Sequence, residues 1–144
     1  MATLWLVDPA TLPKPSAKAR KIGRKPLIDL AGLQAAIHSG ALDDEDVWLA
    51  TLKCENNVQD LSWSMRNLLD CFRCLKPLPR KSGGDFKNSE WCLDRTGRWR
   101  ACDAYAIRYD ETRRCRSSAG LEFFLKFSID EDGALTLVMI SAHL

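Results

Sequence analysis

Apolar side chains recur every three or four residues in the first half of the chain, a spacing that indicates α-helices. The first such segment is LIDLAGLQAAIHSG, and Gly40 at its end can close a helix in the left-handed conformation. Its apolar face comprises Leu27, Leu30, Leu33 and Ile37. His38 fits the last turn, where an imidazolium favours the negative end of the helix dipole.

Two further helices are predicted before Pro79. Acidic residues 43–46 precede Val47 and Trp48, and acids suit the positive end of a helix dipole, which predicts a second helix over about residues 44–54. In LSWSMRNLLDCFRCLKPLP, Ser62 or Ser64 can cap a third helix, which the prolines end. Its apolar stripe comprises Met65, Leu68, Leu69, Phe72 and Leu75.

After Pro79 the apolar period shortens to two, and four segments have the length and composition of β-strands. These segments are DFKNSEWCL, WRACDAYAIRY, LEFFLKFSI and LTLVMISAHL. Gly97 and Gly133 supply the positive φ that the connecting turns DRTG and DEDG require. The sequence therefore predicts an α+β fold, with two to three N-terminal helices packed on a four-stranded, mainly antiparallel sheet.

Strand alternation also predicts which side chains share a sheet face. The outward positions of two strands carry cations, a thiol and one ring, namely Arg100, Cys102, Arg108, Phe124 and Lys126. Such a face can bind phosphates through its cations and stack a base on its ring. It can equally be the ordinary solvated face of an antiparallel sheet. The last strand has no charge before His143, as expected of a central strand covered on both sides.

Composition and charge divide the chain into an arm and a domain. The 144 residues suit one compact domain, with 46% hydrophobic and 28% charged residues. Residues 1–26 are predicted to form an extended basic N-terminal arm, because residues 12–26 contain three prolines and six basic residues without an acid. The arm is either a solvated linker or an electrostatic contact for a nucleic acid. Residues 27–144 form the predicted single domain.

The N-terminus lacks the basic segment and long apolar run of a signal peptide, and no apolar run is long enough for a membrane helix. The protein is therefore expected in the cytoplasm, without a membrane partner, and its six cysteines are expected to be reduced thiols. Cys71 and Cys74 have the spacing of half a zinc site but lack a second pair of ligands. We expect no metal site and no cofactor.

His143 is the strongest candidate for catalysis, because it shares a strand face with Ser141 and with the predicted basic surface. A histidine there can act as general base or acid when RNA is cleaved by its own 2′-hydroxyl group. A frayed residue near the end of the chain is the alternative. The chain has no phosphate-binding loop, serine-hydrolase elbow or dinucleotide loop, which removes most common enzyme classes.

In chain order, the segments GDFKNS, CDAY, FFLKFSI and LVMISAH resemble the MqsR family of bacterial toxins over about residues 27–144. This resemblance implies a RelE-like α+β fold. It also implies a metal-independent endoribonuclease that cleaves single-stranded mRNA, the toxin of a type II toxin–antitoxin system held in check by a cognate antitoxin protein.

The resemblance also assigns site residues. The family's lysine after D-F-x falls on Asn88, with Lys87 one residue earlier, and its final lysine falls on His143. Its glutamine falls on Cys102 and its tyrosine on Phe124. The expected catalytic residues are His143, Lys126 and Lys87, and the expected RNA-binding residues are Arg100, Arg108, Phe124, Asn88 and Cys102.

The exchanged residue types leave two alternatives to a toxin. One is a catalytically inactive MqsR-like fold that regulates by binding RNA or protein, and the other is an unrelated α+β interaction domain. The position of Lys87 bears on this choice, since a one-residue shift turns a strand side chain to the opposite face. Lys87 reaches the basic face only if a local bulge restores it.

Overall fold

The computed structural model describes residues 3–144, which form three α-helices and one mixed β-sheet. The helices are α1 (Leu30–Ser39), α2 (Leu52–Leu61) and α3 (Met65–Phe72). The strands are β1 (Lys21–Gly23), β2 (Val47–Leu49), β3 (Phe86–Leu93), β4 (Trp99–Asp110), β5 (Cys115–Arg116), β6 (Leu121–Asp130) and β7 (Thr136–His143). None of the helices among residues 3–144 has the length and apolar character needed to cross a bilayer.

Local sequence explains the ends of two helices. Helix α1 begins where the Asp29 carboxylate accepts a hydrogen bond from the Gly32 amide, and it ends at Gly40 with φ of 83°. Helix α3 begins at a capping box in which Ser64 and Asn67 satisfy each other's backbone amides. The predicted first and third helices are thereby confirmed, and their apolar faces are buried in the main core.

The predicted second helix over residues 44–54 is wrong. Residues Asp44–Asp46 form a single 3₁₀ turn capped by Asp43, and residues Val47–Leu49 form β2. Helix α2 begins only at Leu52, after the Thr51 hydroxyl caps it. The acidic residues therefore belong to a turn, and the apolar residues that follow them pair in parallel with β7, a partner 90 residues away in sequence.

The sheet order is β1-β3-β4-β6-β7-β2, with β5 pairing to the far end of β4. The four predicted strands are present as β3, β4, β6 and β7, each antiparallel to the next. The expectation of a four-stranded, mainly antiparallel sheet behind N-terminal helices is nevertheless wrong, because the sheet is seven-stranded and mixed and β1 precedes every α-helix. The implied RelE-like architecture fails with it. The added strands have two or three residues each, which is too short for an alternation of apolar and polar residues to be recognised in the sequence.

The basic arm lies along one edge of the sheet. Strand β1 pairs antiparallel with β3, and most side chains of residues 12–26 are exposed. Where the arm meets α1, both carboxylate oxygens of buried Asp103 accept hydrogen bonds from the Leu27 amide, and one also accepts from the Ile28 amide. The arm is thus anchored at its C-terminal end to the centre of β4.

The three helices cover one face of the sheet with a large apolar core. Phe72 of α3 packs edge-on against Phe127 of β6, with ring centroids 4.8 Å apart. Phe86 is buried in this core, as its place on β3 predicts. Fully burying one such ring contributes about 1.5–3 kcal/mol, so the packing of this face stabilises the fold.

The opposite face of the sheet is curled and partly closed. The amide of Arg95, in the turn after β3, donates to the Ala50 carbonyl, which follows β2. Strands β3 and β2 are separated by three strands in the sheet, so this contact requires strong curvature. A second, smaller apolar cluster fills the closed part and comprises Ala50, Cys92, Cys102, Val138 and Ile140. The open part of this curled face forms a groove.

Candidate functional site

The groove at the open part of the curled face holds about 350 Å³ and receives side chains from α2, β3, β6 and β7. We call it the basic groove. Its polar and aromatic lining comprises Lys53, Lys87, Asn88, Glu90, Phe124, Lys126, Ser141 and His143. The three residues expected to be catalytic, Lys87, Lys126 and His143, therefore lie together, and two of those expected to bind RNA, Asn88 and Phe124, lie beside them.

A β-bulge brings Lys87 into the basic groove. Phe86 lies opposite Tyr105 and Asn88 lies opposite Ala104, so Lys87 is an extra residue in β3 with no partner in β4. A bulge re-aims the side chains beside it, and here Phe86 faces the core while Lys87 and Asn88 face the groove. The Lys87 Nζ atom lies 4.7 Å from the centroid of the Phe124 ring, a cation–π distance.

Phe124 joins this lysine to the histidine at the end of β7. Phe124 and His143 lie opposite each other across β6 and β7, and their rings stack with centroids 5.5 Å apart. Both side chains remain partly exposed. The imidazole is therefore held in one orientation by an aromatic neighbour that also contacts the Lys87 ammonium.

The hydrogen bond of His143 determines its neutral tautomer. Its Nδ1 atom lies 2.8 Å from the carbonyl oxygen of Leu144. A carbonyl oxygen accepts only, so Nδ1 carries the proton and donates it. The neutral ring consequently has its lone pair on Nε2, which is the state that a general base requires.

Lys126 is held by Glu90, which the sequence reasoning missed. The Lys126 ammonium forms an ion pair with the Glu90 carboxylate across the intervening strand β4. Their side chains meet because the β4 positions between them are the small residues Cys102 and Ala104. Alternation places Glu90 on the same face as Asn88, but only the strand register shows that it reaches Lys126.

Lys53 is a second residue that the sequence reasoning missed. It lies in the first turn of α2, and its exposed side chain lines the basic groove beside Lys126 and Ser141. The predicted helix over residues 44–54 placed it in a last turn. Its true position depends on the Thr51 cap, whose hydroxyl also donates to the Ile140 carbonyl of β7.

Three residues expected to bind RNA lie outside the basic groove. Arg100 is buried and forms ion pairs with Asp94 at 2.9 Å and Asp130 at 3.2 Å. Cys102 is fully buried in the second apolar cluster, where burial raises the pKa of its thiol. Arg108 is exposed on the same sheet face but lines a neighbouring cavity. Alternation assigned the face of each residue correctly and said nothing about which neighbours cover it.

The cysteines offer no metal centre in the described part of the chain. All six are free thiols, and no group of three or more His, Cys, Asp or Glu side chains among residues 3–144 could hold a metal ion. Cys71 is buried against the core, where burial raises its thiol pKa, and Cys74 accompanies it at the end of α3. These two thiols therefore pack as small apolar side chains.

Comparisons with protein-family models, with curated proteins and with solved structures find no match.

Proposed function

We propose that the basic groove binds single-stranded RNA and cleaves it without a metal ion, through attack by the RNA's own 2′-hydroxyl group. The observation that carries this proposal is the meeting of Lys87, Phe124 and His143 in one open groove. It combines a cation for a phosphate, a ring for a base and an imidazole for a proton.

In the proposed reaction, His143 Nε2 takes the proton of a 2′-hydroxyl group. The 2′-oxygen then bonds to the adjacent phosphorus, and the bond from phosphorus to the 5′-oxygen breaks. The leaving 5′-oxygen takes a proton from water, and the imidazolium returns its own proton to solvent. The products are a 2′,3′-cyclic phosphate and a 5′-hydroxyl end, and no oxidant or reductant is needed.

The lysines supply the electrostatic part of catalysis. Negative charge increases on the phosphate oxygens as the 2′-oxygen attacks, and preorganised cations beside that charge stabilise the transition state. Lys126 is held by Glu90 and Lys87 by the Phe124 ring, so neither has to be ordered during the reaction. Three lysines against one glutamate leave the basic groove cationic, as a phosphodiester requires.

The decisive experiment incubates the protein with single-stranded RNA in EDTA and maps the ends of the products. We expect His143→Ala to lower the cleavage rate by at least about 10²-fold, the usual contribution of a general base, with RNA binding retained. The matched control is His38→Ala, which removes the chain's other histidine from the exposed end of α1. Equal rates for both variants would contradict the assignment of His143.

A second candidate function is RNA binding without cleavage. The observation that favours it is the Lys126–Glu90 ion pair. In this pair the Glu90 carboxylate occupies the place beside the Lys126 ammonium that the phosphate of a transition state would need. In that case the protein binds RNA in a salt-dependent manner, and no cyclic phosphate ends form. The same incubation separates the two functions, because binding and cleavage are measured on one sample.

The resemblance to the MqsR family adds a biological setting to the proposal. In that setting the protein is a growth-inhibiting toxin, and a cognate antitoxin protein neutralises it. Induced expression of the wild-type chain should then arrest growth, whereas His143→Ala expressed to the same level should not. Equal growth in both cultures would contradict the toxin assignment. It would not contradict RNA cleavage, which the incubation with RNA tests separately.

A further inference from the structure

A second cavity lies on the same curled face, beside the basic groove. It holds about 580 Å³, and its charged lining consists of Arg80, Arg108, Arg116, Asp85 and Glu122, with Ser117 and Ser118 nearby. We call it the arginine cavity. The three guanidinium groups outnumber the two carboxylates, and guanidinium groups form strong charge-assisted hydrogen bonds to phosphate.

The strand register places the two cavities next to each other along β4 and β6. Lys126 lies opposite Ala104, Phe124 opposite Ala106, and Glu122 opposite Arg108 on the paired strands β4 and β6. The basic groove includes Ala104 and Phe124, and the arginine cavity includes Ala106 and Glu122. At about 3.3 Å per residue, the Arg108 level lies about 13 Å from the Lys126 level.

Small side chains form the floor between these levels. The β4 positions that separate Arg108 from Cys102 on this face are Ala104 and Ala106, and both are buried, at 9% and 1% exposed. Larger side chains rise on both sides, from Lys87 and Asn88 of β3 and from Phe124 of β6. The Lys87–Phe124 contact spans this floor and so lies between the basic groove and the arginine cavity.

The three arginines differ in how they are held. Arg116 donates to the buried Asp85 carboxylate and to the Cys74 carbonyl, which fixes its position. Arg80 forms an ion pair with Glu122. Arg108 donates only to the Gly120 carbonyl, and within residues 3–144 it has no ion pair, so its full charge is available to a ligand.

We propose that the arginine cavity is a second phosphate-binding subsite for the same RNA strand that occupies the basic groove. This inference rests on the proposed function. The strand passes over the Lys87–Phe124 contact, with one phosphate near Lys126 and a later phosphate at Arg108. An oligonucleotide too short to reach from Lys126 to Arg108 occupies one subsite only.

The test measures binding of a fluorescein-labelled uridine dinucleotide, whose single internucleotide phosphate can occupy one subsite only, and of a single-stranded oligouridylate of about 12 nucleotides, which lies within the site sizes of single-strand-binding folds. The wild-type protein should bind the longer probe more tightly. Arg108→Ala should weaken binding of the longer probe about three- to ten-fold and lower its log–log salt slope by about 0.7. It should leave binding of the shorter probe unchanged. The matched control is Arg113→Ala, an exposed arginine that lines neither cavity.

Each outcome separates the subsite from the proposed function. Binding of the longer probe that is lost in Arg108→Ala and kept in Arg113→Ala supports the subsite. Equal losses in the two variants show a diffuse charge effect and overturn it, as does a wild-type protein that binds both probes equally. If the wild-type protein binds neither probe at low salt, the proposed function itself fails.

Discussion

Single side chains determine the charge of the basic groove, and Glu90 is the one that opposes the three lysines. Its carboxylate pairs with Lys126 and lines the same groove as Lys87 and Lys53. A bound phosphate would therefore meet one unfavourable charge among several favourable ones. Whether Glu90 only positions Lys126 or also moves a proton is decided by its amide variant.

We predict that Glu90→Gln binds single-stranded RNA about five-fold more tightly, because a repulsion of about 1 kcal/mol at short range is removed. Fluorescence anisotropy at low salt measures the effect. The control is Glu55→Gln, which removes the charge of another paired glutamate, one bonded to Arg95 outside the groove. If binding is unchanged but cleavage falls by about 10²-fold, Glu90 is a proton-transfer group.

Asp103 is a second side chain with a measurable signature. Burial raises its pKa to about 6, and hydrogen bonds from the Leu27 and Ile28 amides oppose that rise only in part. The folded protein therefore binds a proton more tightly than the unfolded chain does. The contribution of the Asp103 proton to stability is fully present below about pH 4, and this contribution is lost as the pH rises towards 6.

We compare the free energy of unfolding of wild type with that of Asp103→Asn. We predict that the difference between them changes by up to about 3 kcal/mol between about pH 4 and about pH 7, with wild type relatively more stable in acid. Urea unfolding of both proteins at each pH measures it. Other carboxylates titrate alike in both proteins and cancel in the difference. A difference that is constant with pH would show that Asp103 titrates normally.

The bulge in β3 determines which side chains of this strand line the basic groove. The strand has to present Phe86 to the core and Lys87 to the groove, and an extra residue allows both. Sequence alternation alone places Lys87 on the sheet face that Asn88 does not share. The resemblance to the MqsR family raised the question of a bulge, but its presence depends on the pairing with β4.

Deletion of Lys87 should leave the fold intact and weaken RNA binding. Phe86 then still lies opposite Tyr105 and Asn88 opposite Ala104, whereas the groove loses one cation. Deletion of Ser89 is the contrasting change, since the strand can absorb it only by placing Asn88 at the buried position of Ser89, and it also removes the Ser89 hydrogen bond to Asp103. Thermal unfolding should show a cooperative transition for the first variant and none for the second. Loss of the transition in both would mean that the bulge itself is required for folding.

Across the molecule, Arg100 connects the turn after β3 to the end of β6 and so helps to keep the sheet curled. It bonds Asp94 on one side and Asp130 on the other, and its own side chain is only 9% exposed. Burial raises the pKa of Asp94, but hydrogen bonds from Thr96 and the bond from Arg100 outweigh burial and lower it to about 2. The stability from this carboxylate is present above about pH 4 and is lost as the pH falls towards 2.

We predict that Arg100→Ala lowers the free energy of unfolding by about 3–5 kcal/mol, because it leaves buried carboxylate charge without a partner. Arg98→Ala is the matched control; that arginine is 59% exposed and lies 3.9 Å from Asp130, so its loss should cost less than about 1 kcal/mol. Chemical denaturation compares the two. Similar losses would show that Arg100 does not hold the curled sheet together.

The sequence by itself determined the elements that carry their own signals. Helices α1 and α3 have caps and apolar stripes, and the four long strands have a period of two, so local patterns suffice for them. The same alternation assigned Phe124, Lys126 and His143 to a polar face. These are consequences of backbone geometry and capping, which act over a few residues.

Only the tertiary structure decided the rest, because it depends on partners far away in sequence. Residues 47–49 are a strand because β7 offers them an edge, and strands β1 and β5 form only by pairing with β3 and β4. Register brought Glu90 to Lys126, and curvature buried Arg100 and Cys102 while leaving Lys87 and His143 open. Local patterns specify which way a side chain points, whereas long-range pairing specifies what it meets.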